Sequence, residues 1–120
     1  MTTQDVANRF MELSKEGKYD KIQEELYAQD CESIEPAHAV GAGLAHAKGM
    51  DAIKEKAKRF NESIEEMHGG YTGDPIVAGN YFSVAMGMDA TMKGAGRMKM
   101  DEIAVYEVKD GKITKEQFFF

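Results

Sequence analysis

From Ser63 to the last residue the hydropathy repeats every two positions, and the turn signals GGYTGDP, KGAG and KDGK divide this stretch into about four strands. Connections this short make neighbouring strands antiparallel. Asp110-Gly111 suits a tight primed turn, and Gly94 and Gly96 flank a slightly looser hairpin. Laid out straight, Ile76 to Thr91 would reach about 50 Å at roughly 3.3 Å per residue, longer than a domain this small spans. The segment is therefore expected to bend, with Gly79 and Gly87 as the places for bulges. A bent, strongly twisted sheet is concave on one side.

The preceding half of the chain supplies the cover. Val6, Phe10 and Leu13 recur at i, i+4 and i+7, on one face of a helix that Thr2 or Thr3 can cap and Gly17 can stop. Asp20, with Gln23 three residues on, predicts a second capped helix whose inward pair is Ile22 and Leu26. CESIE, residues 31–35, reads as a short strand ending at Pro36, followed by a glycine-rich loop from Ala37 to Lys48. Met50 to Asn61 places Ile53, Ala57 and Phe60 at helical spacing, with Lys and Glu on the solvated side. The expectation is one α+β domain over residues 1–120, with three N-terminal helices packed on a curved, mainly antiparallel sheet that encloses a pocket.

Both faces of that sheet are apolar. Phe82, Val84, Met86 and Met88 alternate with Tyr81, Ser83, Ala85 and Gly87, while Ile103 and Val105 oppose Ala104, Tyr106 and Val108. Phe118 and Phe120 share one side, and Phe119 takes the other. Helices can cover only one face, so a homodimer through the outer face of the sheet is expected.

Charge narrows the partners. With 21 acidic against 15 basic side chains and a net charge of -6, the chain opposes the phosphate neutralisation that nucleic-acid binding needs, and an anionic membrane surface is disfavoured in the same way. No apolar run approaches the roughly 20 residues of a membrane span, and MTTQDVANRF lacks the basic and apolar regions of a signal peptide. The single Cys31 cannot form an intrachain disulfide, so a cytoplasmic location is expected.

Three stretches carry a family resemblance: YAQDCESIEP at 27–36, KGMDAI at 48–53 and VYEVKDGKITKEQFFF at 105–120. Together with the element order they resemble the nuclear transport factor 2-like superfamily, in particular its SnoaL-like polyketide cyclases and ketosteroid isomerases, which share a cone-shaped, cystatin-like fold. The resemblance covers essentially the whole chain. It implies that Glu35, the acid before proline, is the proton-transferring base, one methylene longer than the aspartate usual there. With one residue fewer in the Asp110-Gly111 turn, it also implies that Asp101 is the pocket acid that donates to a developing oxyanion. The family's second oxyanion donor is a tyrosine, and its position here is Phe10, whose ring cannot donate.

A carboxyl in an apolar cavity has its charged form destabilised, which poises it as a base or keeps it protonated as a donor. Glu35 and Asp101 would divide those roles as the two acids of ketosteroid isomerase do. The plain alternatives are a strand-end charge for Glu35 and a surface acid paired with Lys99 or Arg97 for Asp101. Glu116 shares a face with Phe118 and Phe120, which places it in the cavity or in a rim salt bridge with Lys115 or Lys112. Expected walls are Phe82, Val84, Met86, Phe118 and Phe120 from the sheet, with Phe10, Tyr27 and Phe60 from the helical side. His38, beside the loop, is either a proton shuttle at the mouth or simply solvated. His46 and His68 are not at metal-ligand spacing from each other, and GAG at 41–43 lacks the rest of a dinucleotide fingerprint, so no metal or cofactor is expected. The implied ligand is a small, largely apolar, carbonyl-bearing molecule that is isomerised, cyclised or dehydrated through an enol; the rival reading is a non-catalytic ligand-binding or protein-interaction module of the same fold.

Overall fold

The computed structural model describes residues 1–41 and 46–120, so most of the GAG stretch and the centre of the expected loop lie outside the described residues. Helix α1 (Thr3–Lys15) opens with a capping box: the Thr2 hydroxyl accepts from the Asp5 N–H at 3.1 Å, and the Asp5 carboxylate accepts from the Thr2 N–H at 2.9 Å. Its Val6, Phe10 and Leu13 are buried together. Gly17, at φ 71°, turns the chain into α2 (Tyr19–Leu26). There the expected Asp20 cap does not form; Asp20 lies within the first turn, where its charge still suits the helix N-terminus, and Lys18 at the cap position makes no side-chain bond. Strand β1 (Tyr27–Ile34) begins four residues earlier than CESIE, because the chain extends directly from Leu26. A short helix, α3 (Ala37–Gly41), and the two-residue β2 (Ala47–Lys48) occupy parts of the expected loop, and α4 (Met50–Glu62) follows Gly49.

The remainder is sheet: β3 (Ile64–Thr72), β4 (Ile76–Ala78), β5 (Tyr81–Met92), β6 (Gly96–Lys109) and β7 (Lys112–Phe119). Ile76 to Thr91 is not one bent strand. Gly79, at φ 56°, closes a hairpin in which Ala78 pairs with Tyr81 and Val77 with Phe82. The length problem is therefore solved by a turn where a bulge was expected. Asp110 and Gly111 both adopt positive φ, 51° and 75°, as a primed turn requires.

The strands form one sheet in the order β2-β1-β7-β6-β5-β3, with β4 beside the first half of β5. Every pairing is antiparallel except β1 with β7. That parallel contact brings the first strand beside the last and carries two glutamates distant in sequence onto one surface.

Helices cover the inner face. Phe10 meets Phe82 edge-on at 5.6 Å and Tyr106 at 4.9 Å, while Phe82 stacks on Tyr106 at 4.8 Å. Leu13, Leu26, Ile53, Val84 and Ile113 complete the core around this triplet. The space beneath α1 is thus packed, and among the described residues it holds no enclosed pocket of the kind the sequence suggests. Two depressions lie elsewhere and open to solvent, one at the β1–β2 edge and one beside the N-terminus and the β6–β7 turn.

Candidate functional site

Strand register places the functional side chains. Across the inner face Phe82 pairs with Tyr106, Tyr106 with Glu116, Glu116 with Ser33 and Ser33 with Ala47, a single row spanning five strands. The next row holds Val84, Ala104 and Phe118, with Glu35 just past the end of β1. One row further Met86 pairs with Glu102, and in the row beyond it Met88 pairs with Met100. Along β5 and β6 the packed apolar floor therefore gives way to the half-buried Met86, Met88, Met100 and Glu102, with Glu35 and Glu116 buried beside them.

Each glutamate sits differently. Glu116 is buried, and its Oε2 accepts a hydrogen bond from the buried Tyr27 hydroxyl. Burial pushes the Glu116 carboxyl up, against the pull of Tyr27, Ser33 and Lys56; burial and Glu116 in turn push the Tyr27 and Tyr106 phenols well above their usual range. Glu35 is also buried, and its Oε1 lies 2.5 Å from Lys56 Nζ on α4. Lys56 donates to Ser33 Oγ at 2.7 Å and stands 5.4 Å from the centre of the Phe118 ring. The Glu35 N–H donates to His46 Nδ1 at 3.2 Å. Glu102 is half-buried on β6, and its carboxyl is pushed up to about 7 by burial and by the Glu35 and Glu116 charges, with Lys56 pulling the other way.

The sequence-derived assignments divide. Glu35 and Glu116 are brought together on the inner face with Tyr27, Phe82, Val84, Met86 and Phe118. Phe10 belongs to the aromatic core, and Phe60 is half-buried on α4. Phe120 is exposed and packs edge-on against the exposed His38 ring at 5.3 Å. Asp101 requires correction. It does share a face with Ile103 and Val105, as alternation demands, but that is the outer face, where Asp101 is exposed and accepts from the Tyr71 hydroxyl at 2.7 Å. The inward acid is its neighbour, Glu102.

Sequence reasoning also passed over Lys56 and Ser33. Lys56 sits four residues before Phe60 on α4, so it shares the inward-leaning side of a helix read as solvated there. Ser33 alternates with Cys31 and Glu35 along β1. Cys31 is buried, and burial together with Glu116 pushes its thiol up to about 12, which leaves it inert as a nucleophile. Among the described residues no group of three His, Cys, Asp or Glu is placed to hold a metal ion.

The chain matches the family model for the SnoaL-like domain over residues 1–120. Among solved structures it is similar to a candidate SnoaL-like polyketide cyclase from Mesorhizobium loti, at 36% identity over 100% of both chains with a TM-score of 0.91. A cystatin-like protein of unknown function from Xanthomonas campestris shares the fold at 15% identity and a TM-score of 0.78, over 99% of this chain and 90% of that one. TerC, crystallised with polyporic acid, does so at 21% identity and a TM-score of 0.75, over 96% and 91%. No functionally curated protein matches the sequence.

Proposed function

This chain belongs to the SnoaL-like family, and on that premise we propose that it works as one domain binding a small, largely apolar, carbonyl-bearing molecule at the open end of its inner sheet face and moving a proton on it. The observation that carries this reading is the convergence of the half-buried Glu102 with the buried Glu35 and Glu116 and with a single lysine, Lys56, beside a surface made of Phe118 and methionines. A half-buried carboxyl that burial pushes up, Glu102, near a cation and an apolar wall suits enolisation, since one group takes the proton while another steadies the oxygen on which charge develops. Met86, Met88 and Met100 give that wall the adaptability to accept ligands of irregular shape. The similarity to a candidate polyketide cyclase is consistent with an enol-based cyclisation, isomerisation or dehydration.

The test is binding and exchange with a panel of enolisable ketones headed by 2-tetralone. A rise in melting temperature together with faster loss of the ketone's α-proton signal in D2O, relative to buffer, supports proton transfer. Binding without exchange favours the second reading, a non-catalytic module, to which Phe10, unable to donate to an oxyanion, lends support. No binding across the panel sinks the carbonyl reading.

Outside the site, the outer sheet face leaves Ile103 and Phe119, register partners on adjacent strands, about half exposed. Its proposed cover is a second copy of the chain. The acidic balance and unpaired Cys31 fit a cytoplasmic protein that binds no nucleic acid, and no helix among the described residues is long and apolar enough to cross a membrane.

A further inference from the structure

We infer that Glu102 is the group that exchanges a proton with the bound molecule, and that Lys56, oriented by Glu35 and Ser33, donates a hydrogen bond to the oxygen on which negative charge develops. The inference rests on the carbonyl reading above and assigns its two chemical roles.

Geometry separates the three glutamates. Glu116 is sealed behind the Tyr27 hydroxyl and the Phe82–Tyr106 stack, so a ligand reaches it only by displacing the core. Glu35 is occupied, because its carboxylate lies 2.5 Å from the Lys56 ammonium and is about as buried as Glu116. Glu102 alone is half-open, and among the described residues it has neither a hydrogen bond nor an ion pair. It stands between Met100 and Ala104 on its own strand and opposite Met86 on the next, so a bound ring resting on the methionines would meet its carboxylate directly. The charged groups that act on it are Glu35 at the end of β1, Glu116 on β7 and Lys56 on α4. Held near neutrality, such a carboxyl can both accept and return a proton at physiological pH.

Lys56 suits the opposite role. An ammonium has three N–H donors; one faces Glu35, a second Ser33, and the third is left for a ligand. In the step, the C–H bond α to the carbonyl breaks and its proton passes to Glu102. The electron pair moves into the carbonyl, and the resulting enolate oxygen accepts from Lys56. Return of the same proton to a different carbon completes an isomerisation with no oxidant, reductant or co-reactant.

The experiment uses the full chain and follows the glutamate carboxyl carbons by NMR across pH, alongside α-proton exchange of 2-tetralone in D2O. The expected titration shows a carboxyl with a midpoint near 7 that disappears in Glu102→Gln and that moves lower but remains in Glu35→Gln, where the neighbouring charge that raises it is gone; a midpoint that disappears only in Glu35→Gln overturns the assignment. In the exchange assay Glu102→Gln is expected to lose at least about 100-fold, the usual contribution of a positioned acid–base group, while retaining ketone-induced stabilisation. A Glu102→Gln protein that exchanges at the wild-type rate overturns the inference and leaves the carbonyl reading intact. A wild-type protein that accelerates no exchange overturns that reading, and the inference with it.

Discussion

The Tyr71 hydroxyl donates to Asp101 Oδ1 at 2.7 Å from two strands away, across Gly87 on the strand between them. A Cβ at Gly87 would collide with the Tyr71 ring, so the glycine is what lets the ring lie flat over β5 and reach its partner. Gly87→Ala is expected to push the ring aside, break this bond and lower the melting temperature by about 2–4 °C. Adding Tyr71→Phe to Gly87→Ala should then cost little more, whereas Tyr71→Phe alone should cost about as much as Gly87→Ala. Additive losses in a thermal-melt double-mutant cycle would refute the coupling.

The same contact fixes what Asp101 does. Asp101→Asn is expected to leave ketone binding and exchange within about twofold of wild type, because the side chain faces away from the site. A drop of tenfold or more in exchange would restore Asp101 to the catalytic group.

Position and periodicity made much of this structure legible beforehand. The 3.6-residue recurrence of Val6, Phe10 and Leu13 fixed the buried face of α1, and the alternation in β5 put Phe82, Val84 and Met86 on one side. Pairing by period two likewise grouped Asp101 correctly with Ile103 and Val105. It could not say which side of the sheet α1 and α4 would cover, so nothing in the pattern checked the one-residue gap placement that pointed to Asp101, and a slip of one residue exchanges Asp101 for Glu102. The β1–β7 contact was illegible for a different reason: parallel pairing between chain ends leaves no local turn signal. Lys56 was missed because a lysine on an amphipathic helix looks solvated until its stem is seen running to a buried acid.

That buried acid makes Lys56 a stability determinant as well. Lys56→Met removes the cation from Glu35, whose carboxylate is nearly inaccessible, and should destabilise the protein by about 2–4 kcal/mol in urea unfolding at pH 7. Pairing it with Glu35→Gln should recover most of that loss, since no charge is then stranded. Equal stability of the single and double variants would mean that Lys56 acts through packing on Phe118 alone.

Glu102 gives stability its own pH dependence. Its carboxyl holds a proton more tightly folded, at about 7, than its ordinary value of 4.5, so the stabilisation is fully present below about 4.5 and is lost as pH rises through about 7. The difference sets an upper bound of about 3 kcal/mol, and partial solvent screening reduces it to about 1–2 kcal/mol. Wild type should therefore lose this much stability relative to Glu102→Gln between pH 5 and pH 8, in chemical denaturation at fixed salt. Burial moves Glu116 in the same direction, but it is common to both proteins and cancels in the comparison. Parallel pH profiles for the two would place the Glu102 carboxyl in solvent.

The outer face yields a test of assembly. Ile103 and Phe119 are paired across β6 and β7, and each keeps about half of its surface in solvent, with Tyr71 and Tyr81 equally exposed on the same sheet. Large apolar side chains left open in this way are stabilised when a symmetric copy covers them, since one two-fold axis protects the patch on both chains at once. Light scattering of the wild-type chain at micromolar concentration should give twice the monomer mass. Ile103→Lys places a charge at the centre of the contact, where each copy would meet the other's lysine, and should weaken association by at least about tenfold, while the inner-face core and ketone binding stay intact. A wild-type protein that remains monomeric would leave this apolar face to a different partner.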